Sequence, residues 1–307
     1  MDLMNISFFI PAYNCAKTIE EAILSILETN FTSGDELIVV DDCSTDTTLE
    51  VLHNLKDNYP VLQIIGHKRN KGGAAARNTA IEHSSNELLF CLDSDNVLEK
   101  GSISKLKKYH FKMEAGATSF QNQYFFTEDK YKPDYIWKLP SGVISMEAHM
   151  NGDNVPGQHG NYLFTKESWA RAGGYAEGSG ALDTFTFGLR QIITGTKFVS
   201  LEGTHYYHRL DYQGSYWMRD AESNLWTVSV KAAQALTPFL HLIDEDFVKY
   251  MFGKGRYYWF YNLKKRPLKL VQQRSKESFY SNLNKKIQAF VYPKETMLKK
   301  FRRKLKL

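Results

Sequence analysis

Two carboxylates separated by one residue, Asp93 and Asp95, follow directly on the apolar run Leu88-Leu89-Phe90-Cys91-Leu92. Like charges this close repel unless a cation lies between them. Oxygen ligands of this kind suit Mg2+ or Mn2+, which bind through one or two carboxylates and complete their shells with substrate phosphates. The chemistry predicted for Asp93-Ser94-Asp95 is therefore a divalent metal holding a nucleotide's diphosphate. A plainer reading stands beside it, since an acid at a strand end also caps the next helix. Asp41-Asp42-Cys43-Ser44-Thr45-Asp46 poses the same choice. Ser44 or Thr45 can cap a helix, but two adjacent acids are more than a cap needs. A carboxylate at a strand tip can accept the imide N–H of uracil, and Asp42 is assigned that role. Arg77, on the small-residue stretch opened by Gly72-Gly73-Ala74-Ala75-Ala76, would be a costly neighbour for a core unless it met an anion or acid. It is assigned to the nucleotide side.

These groups need strands to deliver them. Ile6–Ile10, Glu36–Val40, Val61–Ile65 and Glu87–Leu92 read as buried strands. Between them, helical spacing runs from Ile19, behind a capping-box pattern at Thr18-Ile19-Glu20-Glu21, and over Ser44–Asn58 and Gly72–His83. Strands alternating with helices predict a Rossmann-like layered α/β domain with a mostly parallel central sheet. In such sheets ligands bind beyond the carboxyl ends of the strands. Pro11-Ala12-Tyr13-Asn14, Asp41-Asp42 and Asp93-Ser94-Asp95 all fall there. Further on, a helix and a strand-like stretch are expected over 101–131, and loop over Lys132–Val155. A short strand is expected at Asn161–Thr165, a helix at Asp183–Thr194 and a strand at Lys197–Leu201. Asp220–Leu242 is expected to be helical, broken at Pro238, and from Asp244 onward the pattern is helical and increasingly basic.

Phe9-Ile10-Pro11-Ala12-Tyr13-Asn14, Val39-Val40-Asp41-Asp42-Cys43-Ser44-Thr45-Asp46, Asn70-Lys71-Gly72-Gly73 with Ala76-Arg77-Asn78, and Leu92-Asp93-Ser94-Asp95 occur in that order. Together they resemble the family 2 glycosyltransferases of GT-A fold, closely over the first 100 residues and more weakly to about residue 210. The resemblance implies a nucleotide-sugar donor, a divalent metal and inversion at the anomeric carbon. It implies that Pro11, Ala12, Tyr13, Asn14 and Asp42 bind the base, and that Asp93, Ser94 and Asp95 serve ribose and metal. Cys43 departs from the family's usual Gly, which suggests less need for a positive φ there.

An inverting displacement needs a base to take the acceptor's proton. Family members carry Glu-Asp in a segment after a Gly-Gly-aromatic-acid motif. Here Gly173-Gly174-Tyr175-Ala176-Glu177 matches the motif, and the later Ala181-Leu182-Asp183-Thr184 keeps one acid. Asp183 is the expected base, with an N-cap as its plainer role and Glu177 in reserve. His208, in Gly203-Thr204-His205-Tyr206-Tyr207-His208-Arg209, is expected to complete the metal shell. Trp137, His159, Asn161, Tyr212 and Trp217 are expected on the acceptor side, although aromatic residues are as often core.

The expected division is a nucleotide-sugar-binding half (1–100), an acceptor-binding and catalytic half (101–219) and a helical, basic extension (220–307). From Lys254 to Leu307 there are 17 Lys and Arg against two acids, so the body before it is net acidic although the whole carries +5. No nucleic-acid reader motif appears. The last fifteen residues suit an anionic membrane surface, or else a solvated or partner-docked helix. Three cysteines without CxxC spacing point to a reducing compartment. With no signal-peptide pattern and no apolar window of ~18 residues, a cytoplasmic protein is expected, soluble or peripheral on the membrane's inner face. The expected acceptor is a glycan or lipid-linked hydroxyl. A nucleotidyltransferase and a catalytically silent carbohydrate- or membrane-binding protein are the rival readings. The first lacks a phosphate-gripping glycine signature after its first strand; the second would be marked by loss of the base.

Overall fold

The computed structural model describes residues 4–150, 160–210, 225–271 and 275–291. His159, Tyr212, Trp217 and the basic tail beyond 291 lie outside the described residues. One ten-stranded sheet runs through the structure in the order β3-β2-β1-β4-β9-β6-β10-β5. Its first four strands, β1 (Ile6–Ala12), β2 (Glu36–Asp41), β3 (Leu62–Gly66) and β4 (Leu88–Cys91), are mutually parallel. Strand β9 (Leu163–Thr165) joins them antiparallel to β6 (Ala117–Phe126), which pairs in parallel with β10 (Phe198–Arg209). The short β5 (Val97–Leu98) closes that edge.

Alternation along the strands sorts the core into two layers. Phe8, Ile10, Leu37, Val39 and Phe90 face α1 (Ile19–Leu27), α2 (Thr48–Asn58) and α4 (Ser102–Lys112). Phe9, Ile38, Val40, Leu89 and Cys91 face α3 (Gly73–Glu82), α6 (Lys166–Arg171) and α7 (Asp183–Ile193). Every residue of α7 is buried. Its outer side packs against Val228 and Ala232 of α8 (Leu225–Leu236), followed by a 3-10 segment at Thr237–Leu242 and α9 (Glu245–Phe252). The final described helix, α10, spans Lys276–Val291.

Several local expectations change. Thr18 makes no capping bond to α1; its hydroxyl donates to the Cys15 carbonyl, which also receives the Thr18 and Ile19 N–H groups. Helix α2 starts at Thr48 rather than Ser44, because Asp46 accepts both the Thr48 N–H and hydroxyl. The stretch 132–155 is not all loop: β7 (Tyr135–Lys138) pairs with β6, β8 (Gly142–Val143) with β10, and α5 spans Met146–Met150. These strands are too short for a period to emerge from sequence. Cys43 keeps the left-handed backbone, at φ 64°, that its side chain suggested it would abandon.

His110 and His149 are buried within the protein, and burial lowers both pKa values to about 4. Both rings are neutral when folded. Stability is complete above the ordinary value of 6.5. It is lost as pH falls from 6.5 toward 4, because the unfolded chain takes up protons that the folded chain refuses. At pH 5 the expected loss is on the order of 2 kcal/mol for each ring. Urea midpoints at pH 7.5 and 5 check this, and replacing both rings by Gln should shrink the difference by their combined share, leaving that of the buried His208.

Candidate active site

The carboxyl ends of β1, β2 and β4 bring three polar clusters together. After β1, Asn14 adopts φ 49° and ties its loop to the next. Its Oδ1 accepts from Thr45 N–H at 2.7 Å, and its own N–H donates to Ser44 Oγ at 3.0 Å. Beside it Pro11 is partly exposed, Ala12 is buried, and the Tyr13 ring is 43% exposed at the sheet's edge. After β2, Asp42 is committed to the protein. Its Oδ1 accepts from Lys71 N–H at 2.9 Å and lies 2.6 Å from His67 Nδ1, while Oδ2 accepts from Gly72 N–H at 2.7 Å. Asp42 thus anchors the glycine turn that enters α3. Its neighbour Asp41 points to the opposite face, with Oδ2 accepting from Ser44 N–H at 3.2 Å and Oδ1 buried without a partner. Sequence reasoning gave Asp41 no separate role, yet strand alternation alone places the two adjacent acids on opposite faces.

After β4, Asp93-Ser94-Asp95-Asn96 turns the chain into β5, with Asn96 N–H bonded to the Asp93 carbonyl. The Ser94 hydroxyl interacts with the Cys15 thiol. Arg77 joins this turn to the start of α7. Its Nη2 donates to Asp93 Oδ1 at 2.7 Å and its Nη1 to Asp183 Oδ2 at 2.6 Å. Asn161 clamps Asp93 from the other side, donating to Oδ2 at 2.9 Å and accepting the Asp93 N–H at 2.8 Å. Asn161 is 2% exposed and supports Asp93 from within the protein. Arg77, 8% exposed, is likewise a bridge between acids, not an open phosphate grip.

Electrostatics follows from this burial. Burial raises the pKa of Asp183, and Arg77 together with the Thr184 N–H at 2.7 Å only partly offsets it. Burial also opposes the charge on Arg77, but Asp183 and Asp93 outweigh it and hold the guanidinium more firmly protonated than usual. Asp183 is the first helical residue of α7 rather than its N-cap, which is Leu182, and the helix dipole there favours an anion. Asn78, next along α3, receives Tyr175 N–H at 2.8 Å and donates to the Tyr175 carbonyl at 2.9 Å. The Arg77-Asn78 pair therefore fastens both segments that were expected to carry the base. Glu177 is exposed and has no hydrogen bond among the described residues.

At the end of β10, burial lowers the His208 pKa to about 4. Its Nδ1 lies 3.4 Å from Tyr206 Oη and 3.5 Å from Asn96 Nδ2. The His208 ring packs 4.5 Å from Phe125, which in turn lies 5.1 Å from Trp137 and stacks on Tyr135 at 4.5 Å. Trp137 thus belongs to an aromatic shelf beside His208. Arg209 donates through Nε to the Asp95 carbonyl and pairs with Glu21. Among the described residues no three His, Cys, Asp or Glu side chains converge as a metal site. Through Asn96, His208 borders the turn that carries Asp95.

Gly73 lies under the Arg77 bridge. A methyl there would sit 2.8 Å from Arg77 Nη1 and 3.0 Å from Asp183 Oδ2. Gly to Ala in a helix ordinarily stabilises by about 1 kcal/mol. Gly73→Ala is expected to do the reverse, costing about 1–3 kcal/mol by overpacking. A lowered unfolding midpoint checks the sign.

The layered α/β fold with its mostly parallel central sheet is that of the GT-A glycosyltransferases. The TarS fragment 1–349 of S. aureus, solved with UDP-GlcNAc, superposes with a TM-score of 0.59 at 17% identity, over 93% of this chain and 81% of that one. The mannosyltransferase PcManGT of Pyrobaculum calidifontis, solved with GDP-Man and Mn2+, gives 0.56 at 18% identity, over 96% and 83%. The profile of glycosyl transferase family 2 matches residues 7–173, and the chain belongs to that family. TuaG of Bacillus subtilis (strain 168), a glycosyltransferase named for teichuronic acid biosynthesis, is 30% identical over 147 residues, 48% of this chain. The chain spans 57% of TuaG's length. Among the described residues, no helix is long and apolar enough to cross a membrane.

Proposed function

We propose that this protein transfers a sugar, with inversion, from a UDP-sugar to a hydroxyl of a growing glycan, polysaccharide or glycolipid. The observation that carries this reading is the Arg77 bridge, which sets a donor-side acid and a buried carboxylate of raised pKa on one guanidinium at the sheet's carboxyl edge. Asp183 takes the acceptor proton. The acceptor oxygen bonds to the anomeric carbon from the far side as the bond to the diphosphate breaks, and the pair of electrons leaves with UDP. Asp41, whose buried Oδ1 has no partner, accepts the uracil imide N–H. Asp42, with both oxygens already engaged, holds the Lys71-Gly72 turn instead. Asp95 and His208 would hold Mn2+ or Mg2+. Asp93, bonded once on each oxygen by Arg77 and Asn161, would support that shell. When bound, the cation neutralises charge on the leaving diphosphate. Trp137 is the described aromatic best placed to carry an acceptor ring.

In this reading residues 1–100 bind donor, 101–219 complete the site, and the helical extension supports α7. A UDP-GlcNAc donor and a polysaccharide acceptor are favoured, since TarS was solved with UDP-GlcNAc and TuaG is named for teichuronic acid biosynthesis. Isotope-labelled UDP-GlcNAc, UDP-glucose and UDP-galactose, offered with Mn2+ and with EDTA, test the proposal. Turnover that stops in EDTA and returns with Mn2+ is the expected result; turnover unaffected by EDTA would overturn the roles of Asp95 and His208.

A further inference from the structure

Residues 252–269 form a second surface that the glycosyl-transfer site does not use. The segment winds through successive helical turns after α9, with Trp259 N–H bonded to the Gly255 carbonyl and Arg266 N–H to the Asn262 carbonyl. Its inner side is fixed. Gly255, Trp259 and Leu263 are buried at four-residue intervals, and Trp259 Nε1 donates to the Ser229 carbonyl at 2.8 Å. Its outer side is large and apolar where solvent should favour polar groups. Phe252 is 50% exposed, Tyr258 61% and Tyr261 46%. Tyr258, Tyr261 and Lys265 recur at helical spacing, and Lys254, Arg256, Lys264 and Arg266 are exposed beside them. No Asp or Glu occurs between Asp246 and Glu277.

We propose that this face docks on a lipid bilayer rich in anionic headgroups. Tyr and Phe rings of this kind settle at headgroup depth, and cations around them are drawn to the negative surface. A polysaccharide fits the face less well. Sugar hydroxyls are gripped by carboxylates and amides as well as by rings, and the segment offers no acid. Its one amide, Asn262, donates to Tyr250 Oη. None of these surface residues belongs to the Arg77–Asp183 bridge, so failure of the bilayer docking would leave the glycosyl-transfer reading untouched.

The test is cosedimentation of the full chain with phosphatidylcholine vesicles, with and without one third phosphatidylglycerol. Binding should require phosphatidylglycerol and weaken in high salt. Tyr258→Ser/Tyr261→Ser and Lys264→Glu/Lys265→Glu should each weaken it about tenfold or more, with unchanged thermal unfolding and donor turnover. Arg302→Glu/Arg303→Glu in the tail serves as comparison. No vesicle binding by the parent protein would overturn the proposal. So would parent-like binding by the two surface pairs, with the loss confined to the tail pair. Loss in the lysine pair alone, matched by equal retention on a soluble polyanion, would reassign the face to a polyanion and overturn the bilayer.

Discussion

Asp183→Asn is expected to lower sugar transfer by about 10²–10⁴-fold, the range for loss of a general base, while UDP-sugar binding persists. The substitution is nearly isosteric, and its amide oxygen can still accept from Arg77 Nη1, so the bridge to Asp93 survives in geometry. What disappears is the ability to take a proton. The pH profile separates this role from a structural one. Only the carboxylate form acts as base, so activity rises with pH through the pKa of Asp183. Burial raises that pKa, so the acid limb of kcat/KM lies above the ordinary carboxylate range. In the Asn variant that limb should vanish along with the rate. Near-normal turnover would remove Asp183 from the mechanism and turn attention to Glu177, exposed one loop earlier.

What could be read from the sequence was local. Strand tips reveal themselves as apolar runs that stop at acids, so β1, β2 and β4 and their three polar clusters were legible. What could not be read was which distant residue meets each acid. Arg77 and Asp183 lie 106 residues apart, Asp93 and Asn161 68 apart, and Asn78 and Tyr175 97 apart. An Arg on an alanine-rich helix announces that it needs an anion, but not that it will take two carboxylates of the protein itself. Asn161 could not be told from an acceptor contact, because an amide that clamps a carboxylate and one that binds sugar look alike in sequence. The different surroundings of Asp41 and Asp42 are another matter, since strand alternation contains them. Cys43 shows the limit of composition: the turn requires positive φ, and the fold imposes it on a residue that resists it by about 1–2 kcal/mol.

Arg77→Met should be the most destabilising single change at this site, because it removes the one group that both Asp93 and Asp183 are paired with. Breaking a buried ion pair from one side leaves an uncompensated charge and typically costs about 3–5 kcal/mol. In a chain of this size that corresponds to a fall in Tm of roughly 5–15 °C. The cost has a pH signature. Without Arg77 the Asp183 pKa rises further, so the variant loses stability as pH rises through that value. Its deficit against the parent should therefore shrink in acid, where the Asp183 carboxylate accepts a proton. Arg77→Lys should rescue little, since two separate N–H groups on one rigid fork reach the two acids, and a single ammonium cannot reproduce that span. Adding Asp183→Asn to Arg77→Met should recover part of the loss by removing the stranded charge, so the two changes together cost less than their sum. Full additivity in that cycle would mean that the bridge contributes no coupling, and that the two halves of the site are aligned by the Asn78 clamp and core packing alone.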